Sequence, residues 1–106
     1  MQLRTESDND NARCRLWLDG ELSIYHAAEL KTALLQAIDD CRELELNLAG
    51  VTELDTAGAQ LLILAKREAD ARGKRLLLGE YSPVALEAIE RLNLAACLGA
   101  RQETMP

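Results

Sequence analysis

Strands alternating with helices in the order β-β-α-β-α-β-α, with room for a final strand, predict one α/β domain: a mostly parallel sheet with helices packed on it. Three observations carry the prediction. Two segments alternate polar and apolar residues with a period of two. Three others repeat apolar residues every three or four positions, and turn-forming residues separate the segments. The 106 residues suffice for one compact domain and are too few for two. The domain is therefore expected over 1–106, with its core over 12–99, and no repeat or linker interrupts it.

Leu3 to Ser7 reads as a short edge strand, followed by a turn at Asp8-Asn9-Asp10-Asn11, residues that favour turns. From Arg13 to Asp19 the alternation puts Cys14, Leu16 and Leu18 inward and Trp17 on the opposite side, with Gly20 expected to end the strand. These two segments suit a hairpin. From His26 onward the period changes. Leu30, Leu34, Ile38 and Cys41 recur at helical spacing, which predicts a helix of about four turns. Ser23, slightly upstream, is placed to help cap it. Glu43 to Leu48 alternates again, a half-buried strand with three leucines inward.

Gly50 to Asp55 reads as a loop and Thr56 as the approximate start of the second helix. Ala57, Leu61, Leu64 and Ala65 are assigned to its buried face, Lys66, Arg67 and Asp70 to its wet face. Gly73 is a natural stop. The run Arg75-Leu76-Leu77-Leu78-Gly79 reads as a buried strand. Ser82-Pro83 supplies an N-cap followed by proline at the first helical position. The third helix is expected to bury Val84, Ala85, Ala88, Ile89 and Leu92 and to end at Asn93 in the left-handed region. A last short strand around Ala96 to Leu98 completes the expected order.

The composition excludes several functions. A net charge of -6 repels a phosphate backbone, and the scattered Lys and Arg form no local patch to overcome it. Nucleic acid and anionic membrane are thus poor partners. Phe is absent and aromatics make up 3%, so the core rests on Leu, Ala, Val and Ile. Cys14, Cys41 and Cys97 are odd in number and widely spaced, which argues against a disulfide framework and leads to the expectation of buried thiols in a reducing cytosol. The polar N-terminus lacks a secretory signal and no apolar run is long enough to span a membrane. A cytoplasmic location is expected.

Catalytic chemistry finds little support. His26 is the single histidine, more suited to a surface or capping role than to a base beside a nucleophile. One His and three dispersed Cys make no metal site, and phosphate-cradling glycine loops are missing. No catalytic residue, metal or cofactor is assigned. One segment stands out: Leu54-Asp55-Thr56-Ala57-Gly58-Ala59 leaves a strand and enters a helix. Asp55 or Thr56 is suited to the N-cap, and small residues follow. A helix start tolerates an anion, so phosphate on Thr56 would be accommodated locally while adding about -1.5 to -2 charges to the surface. The plain alternative is a capping threonine with small residues for close packing.

Gly20-Glu21-Leu22-Ser23, the stretch from Leu46-Asn47-Leu48 to Leu54-Asp55-Thr56-Ala57-Gly58, and the stretch from Ser82-Pro83-Val84 to Leu92-Asn93-Leu94 together resemble the STAS domain of anti-sigma factor antagonists. The resemblance runs from Cys14 to Gly99. It implies a phosphoacceptor at Thr56, the hydroxyl directly after the Asp. It also implies a protein partner: an anti-sigma factor that is itself a serine/threonine kinase, released when the domain is phosphorylated. Ser23, Ile24, Tyr25 and His26 would lie beside Asp55, Thr56, Ala57 and Gly58 and share the partner surface. The sequence departs from the usual Asp-Ser-Ser/Thr-Gly-Leu in reading Asp-Thr-Ala-Gly-Ala. That version resembles STAS subunits docking on the ATPase of bacterial phospholipid-transport ABC complexes. The stretch from Gly20 to Leu30 is similar to STAS proteins of chemosensory clusters, which implies a two-component pathway as another setting.

Overall fold

Alternating leucines place the centre of the sheet. In the computed structural model, which describes residues 1–8 and 12–94, β1 (Gln2–Ser7) pairs antiparallel with β2 (Arg13–Leu22). Strand β3 (Glu43–Leu48) runs parallel to β2, and β5 (Arg75–Tyr81) runs parallel to β3. The order is β1-β2-β3-β5, with β4 (Val51–Leu54) parallel to the far end of β2. The sheet is thus five-stranded and mostly parallel. Cys14, Leu16, Leu18 and Leu22 of β2, Leu44, Leu46 and Leu48 of β3, and Leu76 and Leu78 of β5 are buried on its helix-bearing side.

Two expectations are corrected here. Gly20 does not end its strand. With φ at +103° it takes a conformation other residues avoid, and β2 shifts register there and continues to Leu22. Its partner changes along the way from β3 to β4. The stretch expected as a loop from Gly50 to Asp55 contains β4. Thr52 and Glu53 are both exposed between buried Val51 and Leu54, so no period-two signal marks the strand.

Helix α1 (Ala27–Asp40) follows a single 3₁₀ turn, Ile24–His26. It buries Leu30, Leu34, Ala37 and Ile38 and packs against α2 (Thr56–Ala71). The buried stripe of α2 is Gly58, Ala59, Leu62, Ala65 and Ala69. Leu64, assigned inward from sequence, is exposed. It belongs to the opposite stripe because the Gly58-Leu62-Ala65-Ala69 spacing fixes the inward direction about half a turn away. Gly73 and Asn93 both take the left-handed conformation expected of them. Ser82 caps α3 (Pro83–Arg91), its Oγ accepting the Ala85 N–H at 3.0 Å. Helix α3 packs on β4 and β5 and buries Ala85, Ala88 and Ile89, whereas Val84 is exposed. The strand expected around Ala96 to Leu98 lies outside the described residues.

The other side of the sheet carries charge. Arg13, Glu43 and Arg75 are neighbours across β2, β3 and β5 and pair at 3.5 and 3.7 Å. Arg15 meets Glu45 at 3.3 Å. Arg4 lies 4.0 Å from the centroid of the Trp17 ring.

The expectation of unpaired thiols is also corrected. Cys14 on β2 and Cys41 just after α1 form a disulfide, with Cα atoms 6.0 Å apart. Spacing along the chain, 27 residues, hid the pair. The return of α1 across the sheet brings its last turn back over the first residues of β2, and both side chains point into the same layer.

Candidate functional site

The site is built where β2 and β4 end side by side and two helices begin. Asp55 is the N-cap of α2, with its backbone extended. One carboxylate oxygen accepts the Gly58 N–H at 2.9 Å, which satisfies an otherwise orphaned donor of the first turn. The other accepts the Ile24 N–H at 3.1 Å, from the segment after β2. The Asp55 N–H donates to the Leu22 carbonyl at 3.2 Å. One residue therefore ties the start of α2 to the end of β2 and to the 3₁₀ turn. Both carboxylate oxygens are committed to backbone amides, so the sequence choice between Asp55 and Thr56 as cap falls to Asp55.

Gly58 makes the close approach possible. A Cβ there would collide with the Leu22 carbonyl oxygen and stand 3.0 Å from Leu54 Cδ1. Such overlap with backbone has no cheap relief. The small residues after Thr56 thus serve helix-to-strand packing. Gly58 is buried and Ala57 half-buried, while Thr56, at the first helical position, is exposed.

Ser23 is 2% exposed. It lies beneath the surface, its Oγ accepting the Tyr25 N–H at 3.3 Å to cap the 3₁₀ turn. The next two residues do the opposite. Ile24 is 66% and Tyr25 86% exposed, so neither packs over the helix end. His26 is partly covered, with Nε2 3.9 Å from Glu21 and Nδ1 3.8 Å from Glu29. The structure therefore brings all eight sequence-assigned residues to one end of the sheet. It divides them into a surface set (Ile24, Tyr25, His26, Thr56, Ala57) and a supporting set (Ser23, Asp55, Gly58).

Sequence reasoning missed the continuation of this surface along α2. Gln60, Ile63, Leu64 and Arg67 line a shallow depression of about 350 Å³ on its outward face. Counting from Thr56 in steps of three and four reaches Gln60, Ile63 and Arg67, so the signal was present once the inward stripe was known. Among the described residues, no group of three His, Cys, Asp or Glu could hold a metal ion. None of their helices is long and apolar enough to cross a membrane. What the arrangement offers is a surface with apolar side chains, a hydroxyl and a rigid frame.

A family model described as "Mlab, STAS domain" matches residues 5–99. Comparison with curated proteins gives no match. Among solved structures, similarity extends to the anti-sigma factor antagonist SpoIIAA in its unphosphorylated form. The identity is 19% and the TM-score 0.74, over 97% of this chain and 90% of that one. An anti-sigma factor antagonist from Mycobacterium paratuberculosis is similar at 16% identity and TM-score 0.78, over 95% of this chain and 86% of that one. The Bacillus cell fate determinant SpoIIAA in its phosphorylated form is similar at 19% identity and TM-score 0.68, over 97% and 94%. At these identities the structures establish the shared fold.

Proposed function

The chain belongs to the STAS domain family, and on that premise we propose that it is a cytoplasmic regulatory module that docks on a protein partner and is switched by phosphorylation of Thr56. One observation carries the reading. An exposed hydroxyl sits on the first turn of α2, in a frame held by Asp55, next to the uncovered side chains of Ile24 and Tyr25. Large exposed apolar and aromatic groups at a rigid surface are the usual anchors of an interface. Phosphate at Thr56 adds about two negative charges and a hydration shell at the centre of that surface, and docking would have to strip both away. In the unmodified state the same surface can close dry. The partner proposed is an anti-sigma factor that is itself a kinase, or a kinase of a chemosensory pathway.

The test compares binding by Thr56→Ala and Thr56→Glu in pull-downs from the native host. The expected outcome is that Thr56→Ala retains the partner and Thr56→Glu loses it, with both variants folded. Equal retention by the two would remove the switch. Intact mass before and after phosphatase treatment reads the modification itself.

A second reading has its own support. The matched family model bears the name Mlab and not that of an anti-sigma antagonist, and the Asp55-Thr56-Ala57-Gly58 version resembles that of phospholipid-transport STAS subunits. In this reading the domain is a constitutive subunit docking through the same face on a transporter ATPase. Co-purification with an ATPase, equal for Thr56→Ala and wild type and insensitive to phosphatase, would select it.

A further inference from the structure

Strand β1 stands at the end of the sheet order, so one of its two edges has no partner strand among the described residues. The pairing with β2 fixes which backbone groups reach that edge. The register runs from Gln2 opposite Asp19 to Ser7 opposite Cys14. One step further, the Asp8 N–H donates to the Arg13 carbonyl at 3.1 Å. Hydrogen-bonded and non-hydrogen-bonded pairs alternate along an antiparallel ladder. Glu6, Arg4 and Gln2 therefore turn their N–H and C=O groups toward β2, while Leu3, Thr5 and Ser7 turn theirs toward the open edge. An edge of this kind is a template for another strand.

Charge selects the strand that fits. Arg4 and Glu6 share the charged face of the sheet, two residues apart on β1. Arg4 lies over the Trp17 ring, and Arg15, opposite Glu6, pairs with Glu45. Among the described residues, neither Arg4 nor Glu6 has an ion-pair partner of its own. A second copy of β1, antiparallel and related by a two-fold axis through Thr5, sets Arg4 opposite the partner's Glu6 and Glu6 opposite the partner's Arg4. The same register sets Thr5 against Thr5 and Leu3 against Ser7, the residues whose amides and carbonyls face the edge. Arg4 and Glu6 then occupy non-hydrogen-bonded positions, where side chains across a seam come closest. Moving the axis to Arg4 or Glu6 sets like charge against like. Moving it to Ser7 sets Glu6 against Asp8, and moving it to Leu3 leaves Arg4 opposite Gln2. Only the Thr5 register satisfies both charges. On the helix-bearing side, a groove of about 300 Å³ between β1 and α1, lined by Leu3, Thr5, Ala33 and Ala37, lies against its counterpart across the same seam.

We propose that the free edge of β1 is a self-association surface. Two copies of this chain join β1 to β1 about Thr5, forming one continuous sheet closed by two Arg4–Glu6 ion pairs. A seam of six-residue strands is small among protein interfaces, so the dimer is weak and depends on concentration.

The test is sedimentation equilibrium of the full chain from about 1 μM to 1 mM, the affinity range of small interfaces. The mass is expected to pass from monomer to dimer across that range. Arg4→Glu and Glu6→Arg each put like charges at both contacts, and each is expected to weaken dimerisation at least about tenfold. Mixed in equal amounts, the two variants complement each other, and the mixture is expected to dimerise about as strongly as wild type. That recovery also shows that both variants are folded. Three results would overturn the inference. The first is a monomer at every concentration, which would leave Arg4 and Glu6 as guards of the edge or the edge to another protein's strand. The second is a dimer that neither charge reversal weakens, and the third is a mixture no stronger than either variant alone. The seam contains neither Thr56 nor Tyr25, so failure here leaves the docking proposal standing, and the reverse holds.

Discussion

The two ends of the unit formed by β2, the 3₁₀ turn and α1 are held by different kinds of bond. At its base, the disulfide joins Cys14 to Cys41, and Lys74 Nζ donates to the carbonyls of Ile38 and Asp39 in the last turn of α1. Ion pairs of Arg13, Glu43 and Arg75 cover the neighbouring strands. At the tip, where β2 meets α2, one carboxylate holds two backbone amides and two large apolar side chains face solvent. The base is fastened by a covalent bond and by charges spread over several elements. The tip depends on two short polar side chains, Asp55 and Ser23, on a backbone bond from Asp55 to Leu22, and on one missing Cβ. Surfaces that bind and release partners belong at such an end, since regulation needs a place where small free energies decide. The tip also lies at the carboxyl ends of parallel strands, the general position of binding sites in open α/β sheets.

Reducing the disulfide tests the base and carries the largest effect. Closing a ring across 27 residues restricts the unfolded chain by about 3–4 kcal/mol in the loop-entropy account. Urea unfolding of the oxidised and dithiothreitol-treated protein is expected to differ by that amount. A difference below about 1 kcal/mol would mean that the base is held by packing and charge instead, and the contrast between the ends would vanish.

Gly58→Ala attacks the tip through its backbone. The added methyl meets the Leu22 carbonyl, so α2 must back away from β2 at a cost of about 1–3 kcal/mol. At an ordinary helix position the same change would stabilise, because Ala exceeds Gly in helix propensity by about 1 kcal/mol. The sign therefore decides whether the close approach exists. A stabilised Gly58→Ala variant would break the account of the tip.

Much of this architecture was legible in the sequence because each element carried its own period. The leucine alternation at 44, 46 and 48, the spacing of Leu30, Leu34 and Ile38, and the Ser82-Pro83 start are local signals, and the structure keeps each of them. What the sequence hid was relational. Cys14 and Cys41 look unpaired until α1 folds back over β2. Strand β4 has no alternation to read, being four residues long with two adjacent exposed positions. Leu61 and Leu64 read as inward by their spacing, yet packing chooses the stripe of α2 that holds Leu62. The grouping of Ser23 to His26 with Asp55 to Gly58 came from resemblance to a family, and the physical link between them, the Asp55 carboxylate on the Ile24 amide, has no trace in either segment alone.

Asp55→Ala separates the two duties of the cap. Loss of an N-cap costs about 0.5–2 kcal/mol, and here the Ile24 N–H loses its partner as well. The expected loss is about 2 kcal/mol by chemical denaturation, less than for reduction of the disulfide. Asp55→Asn keeps an acceptor oxygen and should recover part of it. Stability equal to wild type in Asp55→Ala would show that the tip is held elsewhere.

Tyr25→Ala sharpens the comparison most finely, since it changes recognition while leaving stability alone. The ring is 86% exposed, so its removal uncovers almost no core, and surface changes of this kind stay within about 0.5 kcal/mol. If the tip docks a partner, the same ring becomes buried in the complex. Truncating a buried aromatic anchor costs about 2 kcal/mol or more of binding, which is roughly a thirtyfold loss of affinity at 1.4 kcal/mol per decade. Trp17 on the charged side of the sheet is the control, because Arg4 already covers it and it lies away from the tip. Partner affinity measured by calorimetry should fall for Tyr25→Ala and hold for Trp17→Phe. A tyrosine that is dispensable for both stability and affinity would leave the exposed end of the molecule without a purpose, and the docking proposal would have to move to another face.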